Sequence, residues 1–127
     1  MAVLTEAIQE AIEELREAGF EMDLFEEAGQ AIAIIHAYPI PSGWSEDATR
    51  LLLKLPTSFP NGKPDMFWTD LNLTLRGGGV PFKGDIIETI RGEKWRRFSW
   101  HPSTWVPGRD SLFTYLEFVN RRLVQRR

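Results

Sequence analysis

The residue types best suited to chemistry are concentrated in the segment Arg91–Pro107, which reads RGEKWRRFSWHPSTWVP. It contains a serine, Ser99, one of the two histidines, His101, and three of the five tryptophans of the chain, Trp95, Trp100 and Trp105. The segment has neither a helical nor a strand period, so we expect an irregular loop. Ordered irregular loops often carry binding and catalytic groups, although the tryptophans could equally serve only to cover one end of the core.

The absence of cysteine limits the chemistry of this chain. With no cysteine in 127 residues, it can form no thioester, thiolate nucleophile, disulfide or cysteine-ligated metal site. His36 and His101 are the only histidines, and the carboxylates around them show no ligand spacing. We therefore expect His36 to be structural, and we expect neither a metal ion nor a cofactor.

Charge is distributed unevenly along the sequence. The net charge is −3, yet residues 1–30 carry −8 and the remainder +5. The early acidic residues are Glu6, Glu10, Glu13, Glu14, Glu17, Glu21, Asp23, Glu26 and Glu27. We expect Glu10, Glu13 and Glu14 to offer a docking face for a basic partner, the alternative being a solvated surface. An acidic protein without a nucleic-acid motif is a poor candidate for DNA or RNA binding.

Length and composition indicate one globular domain that spans residues 1–127. No apolar run approaches the length needed to cross a membrane, so we expect no membrane association. The N-terminal stretch is acidic and amphipathic, unlike a secretory signal, and a cytoplasmic location is expected by default.

Periodicity predicts the elements that must position Arg91–Pro107. Apolar residues at helical spacing predict a helix from Thr5 to Ala18, and Asp110 is the expected cap of a C-terminal helix with Leu112, Leu116, Val119 and Leu123 on one face. Leu73–Glu93 gives a weak signal, and its Arg76-Gly77-Gly78-Gly79 run lacks the features of a phosphate loop. Strands are predicted at Phe20–Glu26, Gln30–Ala37, Ala48–Leu55 and Asp65–Thr69. The expected class is α+β, with an N-terminal helix, a four-stranded antiparallel meander, the irregular segment and a C-terminal helix.

The loop between the third and fourth predicted strands carries a family resemblance. Pro56, the pair Phe59-Pro60 and Pro64, followed by an apolar strand, resemble the signature of the ubiquitin-conjugating (UBC-like) superfamily. Trp105-Val106-Pro107 ahead of a helix is similar to the Trp-x-Pro motif that follows the active site in that superfamily. The combination of PDMFW, WxxFSxH and WxPGxDxLxTYL most resembles the bacterial branch called prokaryotic family E. The order of these features covers nearly the whole chain.

The resemblance implies partners as well as a fold. Proteins of that branch are expected beside a ubiquitin-like protein, an activating enzyme and a JAB-type or related peptidase from the same operon, and such operons are linked with antiviral defence.

The sequence departs from that of a conjugating enzyme at two places. The position of a conjugating enzyme's catalytic cysteine falls at or near Arg97, where there is none, and the His-Pro-Asn motif is missing near Thr74-Leu75-Arg76.

One interpretation keeps acyl transfer with an oxygen nucleophile. Ser99 would accept the C-terminus of a ubiquitin-like protein as an oxyester, with His101 as its base if the loop bends to bring the two together. Arg97, Arg96 or backbone N–H groups would stabilise the oxyanion.

The other interpretation is a non-catalytic relative, comparable to cysteine-less conjugating-enzyme variants and RWD domains. Trp95, Trp100 and Trp105 would then act as anchors of a binding surface, near the Phe59-Pro60 loop. A third reading is that the serine replaces a cysteine of the natural chain.

Overall fold

A computed structural model describes residues 3–127, so the first two residues of the expected domain lie outside the described part. The elements in chain order are α1 (Glu6–Glu17), β1 (Met22–Glu27), β2 (Gln30–Pro39), β3 (Ala48–Leu55), β4 (Phe67–Asp70), β5 (Ile86–Ile90), β6 (Glu93–Phe98) and α2 (Leu112–Val124). All strand pairs are antiparallel, in the order β1-β2-β3-β4-β6-β5. The α+β class is confirmed. The prediction of a four-stranded meander is wrong in number, because the sheet has six strands.

Both helices begin at side-chain caps. Thr5 accepts a hydrogen bond from the Ile8 N–H at 3.2 Å and starts α1, as predicted. At α2 the predicted cap, Asp110, is wrong by one residue. Ser111 caps the helix, and the Thr114 hydroxyl accepts from the Ser111 N–H at 2.9 Å to complete a capping box. Asp110 instead accepts from the Val106 N–H at 2.6 Å, which fixes the loop ahead of the helix.

The hairpin β5–β6 replaces part of the predicted irregular segment. Its turn residues Arg91 and Gly92 have φ values of 51° and 78°, nearly those of Ala28 and Gly29 in the β1–β2 turn, 52° and 76°. Positive φ at both central residues defines the type I′ turn that joins two tightly paired strands. The expectation of irregular backbone throughout Arg91–Pro107 is therefore wrong for Glu93–Phe98. That strand, EKWRRF, lacks a simple apolar alternation, since Arg96 and Arg97 bond within the fold to the Gly84 carbonyl and the Glu88 carboxylate.

Two hydrophobic clusters cover the two faces of the sheet. On one face the helices α1 and α2 pack through their apolar stripes. The other face carries a smaller cluster of Ile32, Ile34, Leu52, Trp68, Ile90 and Trp95. Because β2 contributes to both clusters, its sequence lacks the alternation of a half-exposed strand.

The sheet is curled, so that its two ends approach one another. The Arg91 guanidinium of the β5–β6 turn lies 3.9 Å from the Phe25 ring on β1, although β1 and β5 are the opposite edge strands. The Glu27 carboxylate also accepts from the Arg91 N–H at 2.9 Å. Within the described residues no helix is long and apolar enough to span a membrane.

Candidate functional site

Ser99 is positioned by the end of β6. The preceding residue, Phe98, is fully buried and stacks on Phe67 with ring centroids 4.7 Å apart. The Ser99 N–H donates to the Lys83 carbonyl at 2.9 Å, which ties the serine to the segment ahead of β5. Its hydroxyl accepts from Arg97 Nε at 3.2 Å. The structure therefore brings together two residues of the predicted catalytic group, Ser99 and Arg97.

Arg97 also has a carboxylate partner. Its Nη1 donates to Glu88 Oε1 at 2.7 Å, and Lys54 Nζ lies 3.6 Å from the other oxygen of Glu88. The guanidinium is thus fixed beside the Ser99 hydroxyl by an ion pair within the β5–β6 hairpin. A fixed positive charge at this distance is suited to stabilise negative charge on an oxygen.

His101 has a different partner from the one predicted. Its Nδ1 lies 2.8 Å from Asp65 Oδ1, and more than half of the imidazole is exposed. Within residues 3–127, no hydrogen bond joins His101 to Ser99. The structure thus separates the predicted base from the predicted nucleophile. Asp65 was missed by sequence reasoning because it lies in the proline loop, 36 residues away, and no spacing rule connects it to His101.

A cleft of about 570 Å³ separates residues 100–105 from α2. Its aromatic lining includes Tyr115, whose ring lies 6.5 Å from Trp105 and 5.2 Å from Phe118. The Tyr115 hydroxyl donates to the Met66 carbonyl at 2.6 Å, and burial raises the pKa of this tyrosine well above its ordinary value. Polar groups from both sides also line the cleft, namely His101, Ser103, Thr104, Asp110, Thr114, Glu117, Arg121 and Gln125.

The three tryptophans singled out from the sequence have different environments. Trp100 and Trp105 are partly buried and line the cleft. Trp105 Nε1 donates to the Pro60 carbonyl at 2.8 Å, and its ring lies 6.2 Å from that of Phe59. Trp95 is 1% exposed and lies in the cluster on the opposite face of the sheet. Its side chain is therefore not available to a partner as a surface anchor.

A second, smaller groove of about 200 Å³ lies between α1, the proline loop and the start of α2. Glu10 and Glu14 line it from α1, and Phe59 and Pro60 line it from the loop. Asp110 adds a third carboxylate. Glu13 is not part of the lining, and it pairs with Arg16 at 3.3 Å on the exposed side of the helix. The groove combines an apolar patch with a concentration of negative charge.

A buried arginine on α2 supports the segment that holds Ser99. Arg122 is fully buried, and its guanidinium lies 5.0 Å from the Trp100 ring and 5.3 Å from the Phe98 ring. Burial, followed by the nearby positive charge of Arg127, lowers its pKa to about 10. Its Nη2 donates to the Phe82 carbonyl at 2.6 Å, whereas Nε and Nη1 have no partner among the described residues.

Three consecutive carbonyls therefore tie one short segment to three parts of the fold. The Phe82 carbonyl accepts from Arg122 on α2, the Lys83 carbonyl from the Ser99 N–H, and the Gly84 carbonyl from Arg96 on β6 at 2.5 Å. Sequence reasoning missed this role of Arg122, because the helical pattern of α2 predicts only which residues face the core and gives no reason for a cation there.

In the part of the chain that the structure describes, no group of three or more histidine and carboxylate side chains could hold a metal ion. His36 lies 2.8 Å from Asp23 across the β1–β2 pair, in an exposed contact.

The fold and the site together define a UBC-like protein without the cysteine of a conjugating enzyme. The α+β order places a proline loop between β3 and β4, and a Trp-x-Pro motif precedes α2. The model of the family described as Prokaryotic E2 family E matches residues 8–126, and the chain belongs to this family. Neither the curated proteins nor the solved structures include a match to this sequence. Family membership supports a role related to ubiquitin-like conjugation.

Proposed function

We propose that this chain acts in ubiquitin-like conjugation as a binding module, which holds the C-terminal segment of a ubiquitin-like protein and docks an activating enzyme. The observation that carries the proposal is the separation of Ser99 from His101, because the serine lacks a hydrogen-bonded base while His101 faces a cleft beside Asp65. Without a cysteine or an activated hydroxyl, non-covalent binding is the simplest use of the fold.

The cleft between residues 100–105 and α2 is suited to an extended peptide. Its aromatic lining offers Trp105 and Phe118 to apolar or small side chains. His101 and Thr104 on one side, and Glu117, Arg121 and Gln125 on the other, offer donors and acceptors to a peptide backbone. A flexible C-terminal segment that becomes ordered in this cleft would gain contacts on both sides.

The groove beside α1 is suited to a basic surface of an activating enzyme. Glu10, Glu14 and Asp110 would attract it, and Phe59 with Pro60 would supply the apolar contact. Glu13, next to Glu14 in sequence but outside the groove, would add to the long-range attraction. A JAB-type or related peptidase, antiviral defence and a cytoplasmic location rest on the resemblance and the sequence alone.

A second candidate function is acyl transfer to Ser99. The observation in its favour is Arg97 Nε at 3.2 Å from the Ser99 oxygen, which would stabilise an oxyanion. The Ser99 oxygen would bond to the terminal carbonyl carbon of the ubiquitin-like protein as the thioester bond to the activating enzyme breaks. The serine proton would pass to the departing thiolate, directly or through water.

One experiment separates the two functions. The chain is mixed with its activating enzyme, ubiquitin-like protein and ATP, under conditions in which the activating enzyme is demonstrably charged. The binding module gives a stable complex but no covalent adduct. An adduct that resists reducing agent, is cleaved by hydroxide and is lost in Ser99→Ala but kept in Ser103→Ala would establish the oxyester instead. Absence of both complex and adduct would refute both functions.

A further inference from the structure

His101 and Asp65 form a pair of the kind that orients a catalytic histidine. An ionised carboxylate can only accept a hydrogen bond, so the 2.8 Å contact places the proton of the neutral imidazole on Nδ1. The lone pair is then on Nε2, the ring nitrogen farther from the backbone. Within residues 3–127 no hydrogen bond engages His101 Nε2, and the ring lines the cleft between residues 100–105 and α2. The pair therefore presents a base to a molecule in that cleft.

The other histidine of the chain is held the opposite way. His36 contacts Asp23 through Nε2 at 2.8 Å, so its remaining nitrogen is Nδ1, which lies beside its own backbone. His36 also lies outside the lining of the cleft. A histidine–carboxylate contact alone thus does not make a base, and His36 provides a matched comparison for His101.

The segment 100–105 is fixed to the loop before β4. Lys63 Nζ donates to the Pro102 carbonyl at 3.3 Å, and Trp105 Nε1 donates to the Pro60 carbonyl at 2.8 Å. Together with the histidine–aspartate pair, these contacts hold the base in place before a substrate arrives, which lowers the entropic cost of a reaction there.

Water is the nucleophile that this base is placed to activate. The His101 side chain is 58% exposed, and the cleft opens to solvent. Within the described residues no hydroxyl bonds to His101 Nε2 that could serve as a nucleophile instead. A site that transfers an acyl group to an amine has to exclude water, which would otherwise compete for it. Hydrolysis therefore fits this cleft better than transfer.

A single base is suited to a thioester more than to an amide. A departing amine has to be protonated, whereas a thiolate leaves without a proton, so one base is enough for a thioester. The proposed function supplies this bond, between the ubiquitin-like protein and the activating enzyme that docks beside α1. Asp110 lines both that groove and the cleft, so the two sites are adjacent.

We propose that this chain discharges the ubiquitin-like protein from its activating enzyme by hydrolysis of the thioester, with His101 as general base and Asp65 as the residue that positions it. This inference rests on the proposed function. The water oxygen bonds to the carbonyl carbon as its proton passes to His101 Nε2, and the carbon–sulfur bond breaks. The proton then passes to the departing thiolate, directly or through solvent. The products are the thiol of the activating enzyme and a free C-terminal carboxylic acid. Arg121, on the α2 side of the cleft, offers a positive charge to the oxyanion.

Single-turnover discharge of the thioester tests this activity. Activating enzyme charged with the ubiquitin-like protein is freed of ATP and mixed with the full chain and free lysine, in water enriched in the heavy oxygen isotope. Non-reducing electrophoresis measures the remaining thioester, and mass spectrometry identifies the product. General-base catalysis typically contributes about 10²–10⁴-fold, so the chain is expected to speed discharge at least about a hundredfold and to release a carboxylate with one labelled oxygen. His101→Gln should abolish most of this gain, whereas His36→Gln should keep it.

A separate binding measurement distinguishes failure of this inference from failure of the proposed function. Asp65→Asn should lower the discharge rate at saturating chain at least about tenfold, because the imidazole loses the partner that orients it, while the Kd for the ubiquitin-like protein by calorimetry stays unchanged. A complex without faster discharge, or equal rates for His101→Gln and the unmodified chain, would overturn the inference and leave the binding module. A product joined to lysine in place of the labelled carboxylate would also overturn it, since the nucleophile would then be an amine. Absence of any complex would overturn both.

Discussion

His101 Nδ1 lies 2.8 Å from Asp65 Oδ1, and this contact directs the imidazole to a different partner from Ser99. The two residues come from the segment after β6 and from the loop before β4, which lie side by side because β4 and β6 are paired. Ser99 meanwhile accepts from Arg97, which is itself bound to Glu88. The nucleophile and base predicted from their spacing thus belong to two separate side-chain pairs.

Filling the cleft is expected to block peptide binding. Ser103 is exposed and lines the cleft, so Ser103→Trp would place a large ring where the C-terminal segment of the ubiquitin-like protein is proposed to lie. We expect the Kd for that protein to rise at least about tenfold, or about 1.4 kcal/mol, by titration calorimetry. Ser42→Trp, at an exposed serine outside the cleft, is the control. Equal affinities for the two variants would rule out the cleft as the site.

Reversing the charge of the α1 face is expected to weaken binding of the activating enzyme. The triple variant Glu10→Lys, Glu13→Lys and Glu14→Lys removes the attraction for a basic surface, and the loss should be greatest at low salt. A matched variant reverses Glu21, Glu26 and Glu46, three exposed acids elsewhere, and so changes the net charge equally. Surface plasmon resonance over a range of salt concentrations measures both. Similar losses would indicate an effect of total charge and not of this face.

Removal of the Trp95 side chain is expected to lower stability, whereas removal of the Trp105 side chain is expected mainly to weaken binding. Trp95 is fully buried, so Trp95→Ala should lower the free energy of unfolding by about 3–5 kcal/mol, measured in urea. Trp105 is only partly buried and lines the cleft, so Trp105→Ala should cost less stability and weaken binding of the ubiquitin-like protein. A larger loss of stability at Trp105 would contradict the assignment of these two side chains.

Arg122 is expected to affect the local order of the segment around Ser99 more than its charge contributes to the stability of the fold. Arg122→Met keeps much of the buried volume and removes a buried cation that has no carboxylate partner among the described residues, so stability should change by less than about 1.5 kcal/mol. Loss of the bond to the Phe82 carbonyl should nevertheless speed hydrogen exchange at the Ser99 amide. Arg122→Ala should instead lower the free energy of unfolding by about 2–5 kcal/mol through the cavity it leaves. An unchanged exchange rate in Arg122→Met would show that Arg122 does not restrain the segment.

Alkaline pH is expected to ionise the tyrosines only as the protein unfolds. Both tyrosines are buried, and burial raises the pKa of Tyr38 to about 12, an effect that its hydrogen bond to Asn120 partly opposes. Below pH 10 the phenol is neutral in both states. Between pH 10 and 12 the unfolded chain loses this proton first, so stability falls as pH rises. Phenolate absorbance should therefore rise together with the loss of native tryptophan fluorescence. Phenolate absorbance with native fluorescence would contradict the burial of these side chains.

Some elements could be predicted because their patterns are local. The stripe of Ile8, Ile12 and Leu15 predicts α1, and Ala48–Leu55 is the strand that the alternation of its leucines indicates. The β5–β6 hairpin could not be found in this way. Its cations Arg96 and Arg97 look exposed in sequence, but they bond to Gly84 and Glu88 in the fold. The available signal in the sequence was Gly92, because glycine readily adopts the positive φ that such a turn requires, as Gly29 does in the β1–β2 turn.

The candidate site, too, could be predicted only where its contacts are local in sequence. Ser99 and Arg97 are two residues apart, and strand geometry keeps their side chains on one side of the backbone. The contact of His101 with Asp65 and that of Arg122 with Phe82 depend on how distant segments pack, which no local pattern records. Sequence resemblance supplied the family and the order of motifs, whereas the partner of each polar side chain required the structure.

The three carbonyls of Phe82, Lys83 and Gly84 also determine where this chain can accept inserted residues. Since consecutive residues accept from α2, the Ser99 backbone and β6, inserting one residue among them would shift at least one acceptor out of register and displace the serine. The glycine-rich turn at residues 76–79 has no comparable tie to Ser99, so extra residues there would leave the serine in place. Variation in loop length should therefore accumulate on one side of Phe82 and be rare on the other.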